Sequence, residues 1–179
     1  MLRITDNGNS EYVIIIRKNH SASEKTAAEE LAAYLKKITD AEIPVKTDDE
    51  KKTDHEIVIG FTNRGGKGKK ELGEEGFTIK TEGKRLFILG SEVRGALYGV
   101  YSFLEKCCGC RFYTDTCERV PKVNMLTVPE IDCTELPGFE YRNVYWFAQG
   151  GEMISAKLKN NGGMGHELTE RVGGGINYI

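Results

Sequence analysis

The chain has 179 residues, of which 39% are hydrophobic, and its 25 lysines and arginines against 27 aspartates and glutamates give a net charge of -2. This composition excludes wholesale disorder, and the charge balance gives no overall attraction to nucleic acid or anionic lipid. The longest apolar run, residues 13–16, is far shorter than the roughly 20 residues of a membrane helix. No signal peptide is recognised at the N-terminus, so a cytoplasmic location is expected.

The first third of the chain combines predicted strands with one amphipathic helix. Residues 12–16 are a continuous apolar run, which predicts a strand covered on both faces. Ser21 and Glu24 have the spacing of a capping box, so a helix is expected to begin there and to end near Ile38. Short strands are predicted at residues 43–45 and 56–60.

A glycine-rich stretch, residues 60–68, follows the last of these strands, as a phosphate-binding loop would. That loop needs Lys directly after its second Gly, followed by Ser or Thr, but here Gly66 and Gly68 interrupt the pattern. A flexible basic loop containing Arg64 and Lys67 is therefore favoured over a nucleotide site.

A hairpin and a second helix are predicted next. Alternating apolar residues on either side of a turn at residues 82–83 predict the hairpin. Ser91 is predicted to cap a helix over residues 92–107. Gly95 and Gly99 lie one turn apart on this helix, and because glycine costs about 1 kcal/mol in a helix, the pair indicates close packing against a sheet. Strands are predicted at residues 111–113 and 125–128.

The residue types that usually carry chemistry form no marked cluster. Five cysteines lie at residues 107, 108, 110, 117 and 133, too closely spaced at the start for paired zinc knuckles, and the three histidines are scattered. Reduced, mostly buried thiols are expected, with no metal and no cofactor. No pair of carboxylates is marked as the acid and nucleophile of a glycosidase. His166 is expected to be exposed, and no catalytic residue is predicted.

The last part of the chain begins with a proline-bearing connection and continues with an aromatic strand candidate at residues 139–147. Arg142 lies within it, and is either a surface residue beside core aromatics or a ligand for polar groups. Residues 154–158 are predicted to form one or two helical turns. Residues 160–179 are glycine-rich and expected to be poorly held.

Several stretches in order resemble the N-terminal domain of family 67 alpha-glucuronidases, which also precedes the barrel in family 20 beta-N-acetylhexosaminidases. The specific stretch is residues 94–105, Arg-Gly-Ala-Leu-Tyr-Gly-Val-Tyr-Ser-Phe-Leu-Glu. Supporting stretches lie at residues 28–45, 57–60, 76–79 and 109–113, although Phe112 stands where relatives usually have Trp. The resemblance implies an α+β fold over residues 1–133, a two-layer mixed β-sheet with two main helices on one face, and no catalytic residues in it.

The resemblance also implies a second, incomplete unit. Residues 134–138 are then a linker, and residues 139–179 are the start of a (β/α)8 catalytic barrel, which needs about 250 residues when complete. An Arg at the end of the first barrel strand grips sugar hydroxyls in the family 20 enzymes, and Arg142 matches it. Arg142 and Trp146 are therefore predicted to bind substrate.

The function expected from this resemblance is that of a non-catalytic accessory domain of an alpha-glucuronidase-like glycoside hydrolase in carbohydrate metabolism. Its expected partners are the catalytic barrel of a longer parent chain and carbohydrate, with neither nucleic acid nor membrane. The unpaired aromatic strand leaves three outcomes open for this segment: disorder, folding back onto the first domain, or pairing with a second copy. Shelter of residues 139–147 by the first domain or by a second copy is expected, and the second copy would give a homodimer through residues 139–179. The alternative is a stand-alone carbohydrate- or protein-binding module. An exposed aromatic platform would favour binding, and a broad apolar face, either covered by the tail or left bare, would favour the accessory role.

Overall fold

The computed structural model describes residues 1–65, 71–146, 149, 151–162 and 167–176. Within these residues the chain forms ten strands, three α-helices and one short 3-10 helix. The strands are β1 Leu2–Asp6, β2 Val13–Ile16, β3 Val45–Thr47, β4 Glu56–Ile59, β5 Phe77–Glu82, β6 Arg85–Gly90, β7 Arg111–Phe112, β8 Glu118–Arg119, β9 Met125–Val128 and β10 Asp132–Glu135. The helices are α1 Ala22–Thr39, α2 Gly95–Lys106 and α3 Glu152–Lys157, and the 3-10 helix is Glu170–Val172.

Six strands form one mixed sheet in the order β10-β5-β6-β4-β2-β3. β6, β4, β2 and β3 run parallel, whereas β5 and β10 join the sheet in antiparallel pairs. β1 pairs with β9 and β7 pairs with β8 in two small antiparallel ribbons. The predicted α+β class with a mixed sheet is confirmed.

The start of α1 follows directly from its sequence. Ser21 Oγ accepts a hydrogen bond from the Glu24 N–H at 3.1 Å, and Glu24 Oε2 accepts one from the Ser21 N–H at 2.8 Å. This reciprocal pair is the predicted capping box, and it satisfies two of the N–H groups that a helix start leaves without partners.

The start of α2 differs from the prediction, because the helix begins at Gly95 and Ser91 is not its cap. The Ser91 hydroxyl donates to the backbone carbonyl of Glu74 and accepts only a long hydrogen bond, 3.4 Å, from the Gly95 N–H. That carbonyl also accepts the N–H groups of Arg94 and Gly95, at 3.1 and 3.0 Å. The loop before β5 therefore satisfies donors at this helix start.

The core lies mainly between the sheet and the two long helices. Apolar side chains from one face of β2, β4, β5 and β6 pack with those of α1 and α2, which confirms the two helices on one face. A smaller cluster covers the opposite face: Val13, Ile15, Val58, Phe87 and Leu89, with Phe61 packed against them. β2 is thus buried on both faces, as predicted. β3 begins at Val45 rather than at Ile43, whose side chain turns into the core.

Close contact between α2 and the sheet depends on its glycines, as predicted. A Cβ atom on Gly99 would lie 2.7 Å from Ile88 Cγ2 and 3.2 Å from Phe77 Cβ. One on Gly95 would lie 2.5 Å from the Gly76 carbonyl oxygen. Only a residue without a side chain allows the helix to approach the strands this closely.

The aromatic segment at residues 139–146 does not form the predicted strand. A strand requires a neighbour for its backbone groups. Here the Arg142 carbonyl accepts the N–H groups of Asn161 and Gly162, and the Arg142 N–H donates to the side chain of Asn161. The start of a barrel is therefore not confirmed. The predicted helical turn is present as α3.

The tail, residues 139–179, is held more firmly than predicted over its described residues beyond residue 160. Side chains from α3 and from the 3-10 helix region enter the main core: Ile154, Ala156, Leu168 and Val172. Asn161 is completely buried. Phe147 and His166 lie outside the described residues, as do 163–165 and 177–179.

Candidate functional site

The site that contains Arg142 is assembled from three separated parts of the chain. Glu75 lies just before β5, and Arg94 lies just before α2, where the Glu74 carbonyl holds its backbone. Arg142 and Asn161 belong to the tail on either side of α3. Because the helix start and the strand start are adjacent, Glu75 and Arg94 meet, and the tail brings Arg142 to them.

Glu75 is a buried carboxylate shared by three donors. Its Oε1 atom accepts from Arg94 Nε at 2.7 Å and from Asn161 Nδ2 at 2.8 Å. Its Oε2 atom accepts from Arg142 Nη2 at 2.6 Å. Two guanidinium groups therefore offset the cost of burying this charge, which would be several kcal/mol without partners.

The side chain and the backbone N–H of Arg142 all donate hydrogen bonds to neighbouring residues of this network. Besides the bond to Glu75, its Nε donates to the carbonyl of Lys159 at 2.8 Å and its Nη1 to the carbonyl of Phe139 at 2.5 Å. Its backbone N–H donates to Asn161 Oδ1 at 2.8 Å. The side chain is about one-fifth exposed, so the predicted substrate ligand lies in an internal network with limited access to solvent.

Arg94 extends the same network to the far end of the tail. Its Nη1 donates to the carbonyls of Gly173 and Gly174, at 3.0 and 3.3 Å. Its Nη2 donates to Glu74, whose side chain is largely exposed. The Arg94 side chain is itself buried, so this arginine connects the first domain to the chain beyond the 3-10 helix.

A cavity of about 270 Å³ lies beside these charges, with Phe77, Leu136 and Leu158 among its apolar walls and Glu75 and Arg142 among its polar ones. Tyr98 also borders it, and its hydroxyl donates to the carbonyl of Asn160 at 2.9 Å. Burial, and secondarily the charge of Glu75, raises the pKa of Tyr98 above its usual value. Tyr98 is therefore a neutral hydrogen-bond donor here, and not a proton-transfer group.

Trp146, the other predicted ligand, lies in a different environment. Its side chain is 57% exposed, and Phe139 and Tyr145 in the same segment are 76% and 79% exposed. The structure therefore places Arg142 in the network around Glu75, whereas Trp146 belongs to an exposed aromatic segment, defined here as residues 139–146.

Sequence reasoning missed Glu75 and Arg94 as members of this site. In the sequence, Arg94 stands out only as part of the family stretch at residues 94–105, and Glu75 is one of several neighbouring glutamates in a loop. An acidic residue shortly before an apolar strand is the available signal, but Glu71, Glu74 and Glu75 all fit it, and the sequence does not show which of them is buried. Only the fold distinguishes them.

The other buried carboxylates of the described residues are also paired with arginine. Glu24 accepts from Arg17 Nε at 2.7 Å. Glu56 Oε1 lies 3.2 Å from Arg64 Nε, and Glu56 Oε2 lies 3.2 Å from Arg85 Nε. Arg64, predicted to belong to a basic loop, is turned inward; Lys67, from the same loop, lies outside the described residues.

Within the described part of the chain, no group of three or more His, Cys, Asp or Glu side chains could hold a metal ion. The five cysteines are free thiols. No helix among the described residues is long and apolar enough to cross a membrane.

Comparison with known proteins gives a family for this fold. The family profile described as "Glycosyl hydrolase family 67 N-terminus" matches residues 3–103. No curated protein matches the chain.

Solved structures with a similar fold belong to carbohydrate-active enzymes. A family GH115 4-O-methyl-alpha-glucuronidase with specificity for decorated arabinogalactans is 14% identical with a TM-score of 0.55, over 79% of this chain and 19% of that one. The GH20 beta-N-acetylhexosaminidase from Streptomyces coelicolor A3(2) is 17% identical with a TM-score of 0.49, over 79% of this chain and 24% of that one. The chain thus spans about a fifth to a quarter of these structures, and the first similarity supports the fold.

Proposed function

Because the chain belongs to glycosyl hydrolase family 67 and carries the N-terminal domain of that family, we propose that this domain is a non-catalytic accessory domain. It packs on and supports the catalytic part of an alpha-glucuronidase-like glycoside hydrolase. Carbohydrate metabolism is then the process that it serves, and the sugar is bound and cleaved by residues outside the first domain.

The observation that carries this proposal is the pairing of the buried carboxylates. Glycoside hydrolysis needs two carboxyl groups flanking the bond, one of them able to donate a proton. Among the described residues, the buried carboxylates are Glu24, Glu56 and Glu75, and each lies against at least one arginine. These contacts hold the three carboxylates within the packing of the domain itself, which supports a structural role for them.

The exposed aromatic segment supports the packing part of the proposal. Phe139, Tyr145 and Trp146 follow directly after the sheet domain and lie mostly in solvent. A run of large exposed apolar side chains of this kind marks a contact surface. In a longer parent protein, the catalytic part would cover it.

An assay of hydrolysis tests the non-catalytic role. The purified chain, incubated with aryl glycosides and aryl glucuronides, is expected to give no turnover above a buffer blank. The control is the E75Q variant, which removes the charge of the best-connected buried carboxylate. Turnover by the unmodified chain that this single substitution abolishes would contradict the proposal.

A stand-alone carbohydrate-binding module is the second candidate function, favoured by the exposure of Tyr145 and Trp146. Aromatic rings in solvent can stack on sugar rings, and this is the role predicted for Trp146. The two functions differ in a binding measurement. Titration of the chain with soluble polysaccharide should leave Trp146 fluorescence unchanged for an accessory domain, and a saturable change lost in Y145A would favour the binding module.

A further inference from the structure

The ion pairs between the tail and the first domain have a consistent polarity. Three ion pairs link the two among the described residues: Arg142 with Glu75, Lys157 with Glu118 and Lys159 with Glu105. In each pair the cation belongs to the tail, and the carboxylate belongs to the first domain. The tail and the surface that receives it are therefore electrostatically complementary.

The three pairs differ in burial, and this difference identifies the most important of them. The side chains of Glu105 and Glu118 each remain about a quarter exposed, so solvent weakens their pairs. Glu75 is buried, and both of its oxygen atoms accept hydrogen bonds from tail residues, Arg142 and Asn161. Hydrogen bonds to a buried charge are stronger than those between neutral groups.

We propose that Glu75 is the positioning residue through which the first domain fixes the tail, with Arg142 as its principal partner. Removing either member leaves a buried charge with fewer partners, which is more destabilising than the loss of an exposed pair. The consequence is local, because Arg94 continues to satisfy Glu75 when Arg142 is removed.

Through Arg142, Glu75 also fixes the position of the exposed aromatic segment. Arg142 stands inside that segment, between Phe139 and Trp146, and its Nη1 holds the Phe139 carbonyl while its Nη2 holds Glu75. The backbone between the flanking aromatic residues is therefore anchored at one point. Glu75 has this role whether or not the domain serves a catalytic barrel.

Amide hydrogen exchange in the full chain tests this assignment. The reporting amides are those of Asn161 and Gly162, which donate to the Arg142 carbonyl, and of Ile176, which donates to the Asn161 carbonyl. In E75Q we expect these amides to exchange about tenfold faster or more, while amides of β4 and β6 are unchanged. The matched control is E74Q, because Glu74 contacts Arg94 but lies 68% exposed and has no hydrogen bond to the tail among those resolved.

A second variant keeps the test decisive if E75Q does not fold. R142Q leaves the pair between Glu75 and Arg94 in place, and it should accelerate the same tail amides without affecting the sheet. Equal acceleration in tail and sheet would show that Glu75 only stabilises the first domain. Unchanged tail amides in either folded variant would also overturn the proposal, and both results would leave the family assignment and the accessory role untouched.

Discussion

The cysteines illustrate how burial sets the chemistry of single residues in this chain. Cys108 and Cys110 are buried, whereas Cys117 is exposed. Burial, followed by the charges of Glu118 and Glu105, raises the pKa of Cys110 from 9.0 to about 11. Burial also raises the pKa of Cys108 well above its ordinary value. Since the thiolate is the nucleophile, these two thiols should react slowly.

Thiol labelling checks this expectation. With iodoacetamide at pH 8 and detection by mass spectrometry, Cys117 should be modified first and Cys108 and Cys110 last, whereas denaturant should expose all three. Native labelling of Cys110 at the rate of Cys117 would contradict the assigned burial.

The raised pKa of Cys110 also predicts how stability depends on pH. Because the unfolded chain releases the Cys110 proton at lower pH than the folded chain does, the free energy of unfolding should decrease between about pH 9 and 11.

Arg142 and Glu75 show which residues of the candidate site can be predicted from the sequence and which cannot. A charged residue among aromatic ones is visible in sequence, and so Arg142 could be singled out. Its partner is 67 positions away and stands among other glutamates, so only the packing of β5 and α2 identifies it. The prediction that Arg142 and Trp146 bind substrate stays a prediction.

At the scale of elements, the reliable signals were those with a local cause. The capping box of α1 requires only two residues three positions apart. The close approach of α2 to the sheet requires residues without side chains, and Gly95 and Gly99 are visible as such in the sequence. The start of α2 was misplaced because a carbonyl from a distant loop, that of Glu74, accepts its first N–H groups. No pattern near Ser91 reveals such a partner.

Overpacking of α2 is the prediction that belongs to this scale. A side chain at residue 99 must displace Ile88 or Phe77, so G99L should lower the free energy of unfolding by about 1–3 kcal/mol or more. The control is G138L, since a Cβ atom on Gly138 would meet nothing within 4 Å. Thermal melts of both variants measure the difference, and equal melting temperatures would mean that α2 does not approach the sheet closely.

At the scale of the whole molecule, the tail forms an additional covering on the helices. α3 and the 3-10 helix contact α2 and α1 respectively, on the same core that the helices share with the sheet. The sequence-based division into residues 1–133, 134–138 and 139–179 does not anticipate these contacts, because apolar spacing in a glycine-rich stretch carries little information. The predicted boundaries stay a prediction, as does the barrel to which the tail was assigned.

The exposed aromatic segment leads to a final prediction about assembly. Shelter for residues 139–147 was expected either from the first domain or from a second copy, and Phe139, Tyr145 and Trp146 are largely uncovered by the first domain. Burial of apolar surface contributes about 25 cal/mol per Å², so these rings favour association. We therefore expect a homodimer through this segment, with twice the 20.0 kDa mass of one chain.

Light scattering with matched variants tests this dimer. W146S should shift the measured mass towards that of one chain, because it removes the largest ring of the shared surface. M125S is the control, since Met125 is exposed to a similar extent, 52% against 57%, but lies on β9 outside the segment. If the unmodified chain has the mass of a monomer and iodide quenches Trp146 freely, the aromatic segment does not mediate self-association.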